Sequence, residues 1–332
     1  MIEKLEDIGF YTLSNARAWD VSWNSPMWRC ELILTDKCNF NCPYCRGPKD
    51  EWKGTLSLED AQYTLKLWID EGLRNVRFSG GEPLLYPGLV TLVGQARDGG
   101  VRRIAVSTNG SFPLSKYHEL VKAGVNDFSI SLDSCCSSGC KQMSGGKDAF
   151  YAICDNITKL SRICYVTVGI VLNDENSESA SATIRYASTL GASDIRIISA
   201  AQDTKALFRI LEQLRELPPE LLAKHPILKY RIANLLDKNR NVRGLCDSDA
   251  HRCHLLKDDM IVAGNHHYPC VIHMREHGEA IGKVGENMRM ERYKFFLKHD
   301  PHNDPICKAN CLDVCIDHNN KCESFAPVYH RD

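Results

Sequence analysis

Three cysteines crowd one short stretch, Cys38-Asn39-Phe40-Asn41-Cys42-Pro43-Tyr44-Cys45, with three and then two residues between them. An aromatic residue stands just before the last. Thiolates hold iron–sulfur clusters, and a self-contained four-iron cluster takes four of them. Three ligands on one loop would leave one iron open to a small molecule, and an open iron makes an electron carrier into a reagent. The same short spacings also occur in zinc knuckles and among unrelated buried thiols, so spacing alone leaves those readings open.

About forty residues on, Asn75-Val76-Arg77-Phe78-Ser79 reads as a short strand running into Gly80-Gly81-Glu82-Pro83-Leu84-Leu85. Paired glycines after a strand let the backbone come close to a ligand, and proline stiffens the exit. The turn is weak evidence alone and strong evidence one strand–helix unit after the cysteine loop. Two polar strand ends follow, Ser107-Thr108-Asn109-Gly110 and Ser129-Ile130-Ser131-Leu132-Asp133.

With these four motifs in this order, residues 30 to 200 resemble the core of the radical S-adenosylmethionine (SAM) enzymes. The nearest branch is the cyclase of molybdenum-cofactor synthesis, which has a similar Phe-x-Gly-Gly-Glu-Pro-Leu-Leu and Ser-Leu-Asp-Ser. The resemblance implies a [4Fe-4S] cluster on Cys38, Cys42 and Cys45 whose open iron is held by the amino and carboxylate groups of SAM. It implies that Gly80, Gly81 and Glu82, stiffened by Pro83, sit against the methionine amino group. Thr108, Asn109, Ser131 and Asp133 would lie around the carboxylate and ribose, Tyr44 near the adenine, and the backbone at Ile198 along its edge. The implied chemistry is reductive cleavage of SAM to a 5′-deoxyadenosyl radical that takes a hydrogen atom from carbon; the cofactor does the hard step and the protein orients it. A reducing partner such as flavodoxin or ferredoxin is implied as well. Taken singly, Thr108 and Ser131 also read as polar strand ends, and Ile198 as a core residue.

Composition agrees with a metalloenzyme. A chain of 332 residues can bury a barrel plus a smaller appended domain. Its net charge is −1, so no polybasic footprint for nucleic acid is present. Met1-Ile2-Glu3-Lys4-Leu5-Glu6-Asp7 is too acidic for a signal peptide, and no apolar run approaches the roughly 20 residues of a membrane span. Sixteen cysteines in such a chain point to metal and a reducing cytoplasm rather than to disulfides.

The order of elements is strand then helix, six times. Strands are expected over residues 31–34, 76–79, 103–107, 127–132, 166–172 and 195–199, with helices over 58–71, 88–98, 114–123, 148–160, 175–190 and 200–217. Alternation of this kind gives an α/β fold with a parallel sheet and right-handed crossovers, here a partial (β/α)6 barrel of TIM type. Ligands gather at the C-terminal ends of its strands, where every motif above falls. The expected divisions are an extension over 1–29 packing on the barrel, the barrel over 30–217, a helical linker over 218–245 and a cysteine-rich α+β domain over 246–332.

Seven cysteines lie in that last stretch: Cys246, Cys253, Cys270, Cys307, Cys311, Cys315 and Cys322. Residues 264–270 resemble the hairpin of the SPASM domain, and the later cysteines its closing run, which implies auxiliary iron–sulfur clusters. Two full Cys₄ clusters need eight thiols, one more than the tail has. Either Asp313, Asp317, His318 or an outside ligand completes a second cluster, or a single cluster forms as in the shorter twitch relatives. Zinc in a Cys₄ site is the competing reading.

A nearby cluster could accept an electron from a substrate radical, which favours dehydrogenation or bond formation, or could anchor the substrate. The expected substrate is a small polar metabolite such as a sugar, aminocyclitol or nucleoside, ahead of a ribosomally made peptide to be crosslinked or epimerised. Epimerisation would need a hydrogen-donating thiol, for which Cys140, in the loop after the fourth strand, is the candidate. A non-catalytic metal-binding module is the alternative of another class. Trp19, Trp23 and Trp28 are expected to pack on the barrel, and the histidines around His266, His267, His273 and His277 to be structural.

Overall fold

The computed structural model describes residues 14–46 and 54–329, with side chains to 325. The acidic start of the chain and the first part of the extension lie outside the described residues.

Each expected strand forms. The strands are β1 (Arg29–Ile33), β2 (Asn75–Ser79), β3 (Arg103–Thr108), β4 (Asp127–Ser131), β5 (Tyr165–Leu172) and β6 (Asp194–Ser199). Three more follow in the tail: β7 (Asp259–Ala263), β8 (His266–Tyr268) and β9 (Gly282–Lys283). All nine belong to one sheet in the order β6-β5-β4-β3-β2-β1-β7-β8-β9. From β6 to β7 every neighbouring pair is parallel; β7-β8-β9 is antiparallel. The expected hairpin therefore exists, but it is not set apart from the barrel. Its first strand lies alongside β1, with Arg29 opposite Asp259 and Ile33 opposite Ala263.

Helices cover the outer face as the periodicity predicts. Ser57 caps the helix Leu58–Asp70 through its Oγ, which accepts from the Asp60 N–H at 3.0 Å, and Glu59 and Asp60 suit the positive end of the helix dipole. That helix buries Ala61, Leu65 and Trp68 on the sheet, and the Trp68 indole N–H reaches Met260 Sδ on β7 at 3.1 Å. Two elements differ from expectation. The loop after β4 contains a helix, Ser137–Met143, and residues 200–217 form two short helices, Ala206–Arg209 and Leu211–Arg215, instead of one.

The tail packs back on the N-terminal extension. Arg17 sits fully buried between Asp258 and Asp259, at 2.6 and 3.0 Å. Trp28 stacks under Arg17 and Arg74. Trp19 and Trp23, by contrast, meet Phe325, Tyr293 and Phe296 of the tail helices, so two of the three tryptophans pack on the tail and not on the barrel.

Candidate active site

The cysteine loop leaves the top of β1 and is held from several sides. Gly81 N–H donates to Thr35 O at 2.7 Å and Glu82 N–H to Lys37 O at 2.8 Å. A Cβ at Gly81 would fall 2.3 Å from Lys37 O, and one at Gly80, whose φ is +150°, 2.4 Å from Thr35 O. The paired glycines thus admit the stem of the cysteine loop, where sequence alone suggested a ligand. Asn39 binds Ser111 Oγ at 2.9 Å and accepts from Asn109 Nδ2 at 2.7 Å. Asn41 N–H reaches Ser144 O at 3.1 Å, and Arg46 pairs with Glu276 of the tail.

Glu82 lies beneath this rim, fully buried, and does not reach the cleft wall. One carboxylate oxygen accepts from Thr108 Oγ1 at 2.8 Å and Leu84 N–H at 3.1 Å, the other from Asn109 N–H at 2.8 Å. All three bonds to its oxygens come from the protein itself. Burial pushes its pKa up to about 7 against the pull of those three bonds. Pro83, itself buried, opens the 3-10 turn Pro83–Leu85 behind it. Asp133 is likewise engaged: Tyr44 OH donates to one oxygen and Val171 N–H to the other at 2.7 Å. Burial raises Asp133 to about 6.

A cleft of about 360 Å³ opens above these residues, within the range of small-molecule sites. Its walls bring together Cys38, Cys42, Tyr44, Cys45, Gly80, Gly81, Thr108, Asn109, Ser131, Asp133, Ile198 and Cys140. Of the expected residues around SAM, all but Glu82 and Pro83 line it. Cys140 is on the helix Ser137–Met143, and burial holds its thiol up at about 11.

The sequence reading missed the arginines. Arg46, Arg77, Arg196, Arg243 and Arg275 share the cleft with two acids, Glu31 and Asp133. Residues two apart on a strand face the same side, so Arg77 and Arg196 lie one layer inside Ser79 and Ile198. Neither their Nε groups nor Nη1 of Arg243 finds an acceptor among the described residues. Burial, and then the neighbouring Arg77 and Arg231, lowers Arg196 to about 10. A charged residue inside each of the runs Val76-Arg77-Phe78 and Ile195-Arg196-Ile197 was the signal available.

The second cavity is lined by Cys253, Cys270, Cys307, Cys311 and Cys315, with Leu255, Ile272, Ile306 and Leu312 among its apolar walls. Cys246 and Cys322 are not brought to it. Cys246 is exposed, its N–H held by Asp249, and Cys322 packs with Ala18, Val21 and Phe325, its Sγ 3.6 Å from His318. The acids offered as extra ligands are spent elsewhere: Asp313 on Arg231 and Asn234, Asp317 on Tyr230 and Arg240. Burial pushes Cys253 up to about 12 and Cys270 to about 11, with neighbouring thiols adding to it, so deprotonation of this set belongs to metal binding.

Both thiol groups fit clusters better than single ions. Tetrahedral zinc with 2.3 Å bonds would draw its sulfurs to about 3.8 Å from one another. Among the described residues no three cysteine sulfurs lie mutually within 4.8 Å; the trio that does is His299, Asp304 and Cys307. No disulfide joins any of the sixteen cysteines.

The model of the radical SAM superfamily matches residues 32–187, the stretch that carries the cysteine loop, the Gly80–Pro83 turn and Asp133. The chain carries a radical SAM domain. Such a domain uses a [4Fe-4S] cluster and SAM, and the cysteine-rich tail suits an auxiliary cluster. A probable GTP 3′,8-cyclase of Saccharolobus solfataricus is 30% identical over 176 residues, 52% of this chain and 57% of that one. The human molybdenum cofactor biosynthesis protein 1 is 37% identical over 108 residues, 31% of this chain and 17% of that one. The chain therefore spans little more than half of the first of these curated relatives. In fold, the radical SAM domain and tail are similar to SuiB of Streptococcus suis bound to its precursor peptide SuiA (TM-score 0.57, 13% identity, 86% of this chain and 66% of that). They are also similar to anSMEcpe with bound AdoMet (TM-score 0.55, 15% identity, 91% and 93%). No helix among the described residues is long and apolar enough to cross a membrane.

Proposed function

We propose that this chain is a radical SAM oxidoreductase that removes a hydrogen atom from a small polar metabolite bearing an anionic group. The observation that carries the reading is the single cleft in which three cysteines, the motif turns and an arginine wall meet. Cys38, Cys42 and Cys45 would hold the cluster that binds SAM, and thiols of the tail cavity an auxiliary one. Reduced from outside by a flavodoxin or ferredoxin in a reducing cytoplasm, the first would give the electron that splits SAM into methionine and the 5′-deoxyadenosyl radical, and the second would serve as an electron acceptor or substrate anchor.

The protein's own residues bind and orient. Glu82 fixes the Thr108–Asn109 turn, and Asp133 holds the Tyr44 phenol at the cleft wall. Arg77, Arg196 and Arg243 offer planar donors suited to phosphate or carboxylate oxygens. Five arginines against two acids disfavour a cationic aminocyclitol, so among the expected metabolites a phosphorylated nucleoside or sugar fits best. The relatives named as GTP 3′,8-cyclases are in keeping with a nucleotide.

The test is binding and turnover by SAM-loaded holoenzyme with a panel of nucleotides, sugar phosphates and their neutral counterparts, following 5′-deoxyadenosine. Phosphorylated members should stimulate it, and Arg77→Gln with Arg196→Gln should raise KM at least tenfold while the SAM-induced spectral change persists. Stimulation by neutral members alone would sink the anionic reading. Stimulation by a peptide alone would favour a peptide maturase, and no SAM cleavage under any condition a non-catalytic module.

A further inference from the structure

Five thiols line the tail cavity, and a four-iron cluster takes four. Cys307 Sγ stands against an imidazole, 3.7 Å from His299 Nε2. The same imidazole lies 3.9 Å, through Nδ1, from Asp304 Oδ2. One donor atom from each of His299, Asp304 and Cys307 can be chosen so that all lie within 4.8 Å of one another. An ion takes one ring nitrogen only, here Nε2 on the Cys307 side; two ligands of one tetrahedral zinc, with bonds of about 2.0 Å to nitrogen and 2.3 Å to sulfur, stand about 3.5 Å apart, close to the 3.7 Å between Nε2 and Sγ.

The acid is held in place before any ion arrives. Asp304 Oδ1 accepts from the Ile306 and Cys307 N–H groups at 2.8 and 3.0 Å, capping the helix Pro305–Asn310. Oδ2 stands 3.1 Å from His273 Nε2, the kind of outer partner that orients a ligating carboxylate. Past Asp304 lies an open groove lined by His277, Glu279, Lys298 and Asn303, which gives a fourth position access to water. Mixed nitrogen, oxygen and thiolate donors of this kind suit zinc or ferrous iron.

We propose that His299, Asp304 and Cys307 form a mononuclear site for a zinc-type divalent ion, separate from the auxiliary cluster. Cys253, Cys270, Cys311 and Cys315 are then the thiols left for the cluster. That second assignment rests on the cluster reading of the tail, and the ion site does not.

The experiment loads the full chain anaerobically with iron and sulfide in the presence of one equivalent of zinc chloride, then desalts it. Zinc and iron per chain are measured, and zinc-edge X-ray absorption reports the ligands. The expected result is about one zinc with a single sulfur at about 2.3 Å and otherwise nitrogen and oxygen. His299→Gln combined with Asp304→Asn, in which Asn keeps the helix cap, should lower zinc at least tenfold and leave iron unchanged. Cys253→Ser with Cys270→Ser should lose the auxiliary iron and keep the zinc. No retained zinc, zinc on three or four sulfurs, zinc retained by the His299/Asp304 variant, or iron falling with zinc in that variant each overturns the site. Single-sulfur zinc that the variant loses, in a tail holding no iron, would uphold the ion site and end the cluster reading.

Discussion

Gly81→Ala should separate the cysteine loop from the turn that seats it. The new Cβ would stand 2.3 Å from Lys37 O and 2.6 Å from Asp36 O. Carbon and oxygen settle at about 3.3 Å, so the loop stem must retreat by about 1 Å. The bonds from Gly81 N–H to Thr35 O and from Glu82 N–H to Lys37 O lie across that movement. Losing both costs about 2 kcal/mol, and a 1 Å displacement of a reacting group costs on the order of a hundredfold in rate. The assay combines iron content, electron paramagnetic resonance with and without SAM, and the rate of 5′-deoxyadenosine formation. The variant should keep the tail iron, lose most of the SAM-induced spectral change, and slow about a hundredfold. Gly94→Ala is the control. It lies within the helix Leu89–Asp98 with nothing within 4 Å of a new Cβ, and should stabilise by about 0.5–1 kcal/mol with unaltered spectra. A Gly81→Ala protein whose spectrum and rate stay within twofold of wild type would show that contact with the turn does not seat the loop.

Glu82 makes stability fall as pH rises. Its folded pKa, lifted by burial from 4.5 to about 7, lets the folded chain keep a proton that the unfolded chain releases. The contribution is complete below about 4.5 and declines by about 3 kcal/mol up to about 7, so denaturation of the apo chain from pH 5 to 8 should show a slope that Glu82→Gln flattens. A parallel pair of curves would refute it. Arg292 is fully buried and donates to the carbonyls of Leu256, Tyr268 and Pro269 at 3.0, 2.8 and 3.3 Å, and to that of Asp259. Arg292→Leu orphans them, and should lower stability by about 4 kcal/mol or more in denaturant titrations. Cys136 is exposed, and hydrogen bonds from Ser134 and then Ser138 lower its thiol to about 7. Mass spectrometry after brief iodoacetamide treatment of the loaded protein at pH 7 should find it alkylated at least about tenfold faster than Cys140.

Much of the barrel was legible because its strands are local apolar-rich runs and its helices carry apolar residues at helical spacing, the first of them with its own cap at Ser57. The cleft residues were legible because they sit at strand ends, where the fold puts ligands. What escaped depended on distance. No spacing rule announces that β7 lies beside β1, and nothing near Trp19 or Trp23 says that their partners are Phe325, Tyr293 and Phe296. Tail cysteines were legible as a set and not as a site: only packing shows that five of them share a cavity while Cys322 faces Ala18 and Val21. The bonds that Glu82 accepts were not legible for a related reason, since its three donors come from its own turn and from the end of β3.

The place of β7 also sets a timetable. Strand β1 leads directly into the cysteine loop, yet the neighbour on its outer side is encoded more than 200 residues later. At a synthesis rate of about 5–20 residues per second, β1 waits roughly 10–45 s on the ribosome with one row of backbone donors and acceptors bare. Nascent chains are therefore most prone to wrong pairing during that interval. A stop codon anywhere before Asp259 would leave the loop that carries Cys38, Cys42 and Cys45 hanging from an unfinished sheet.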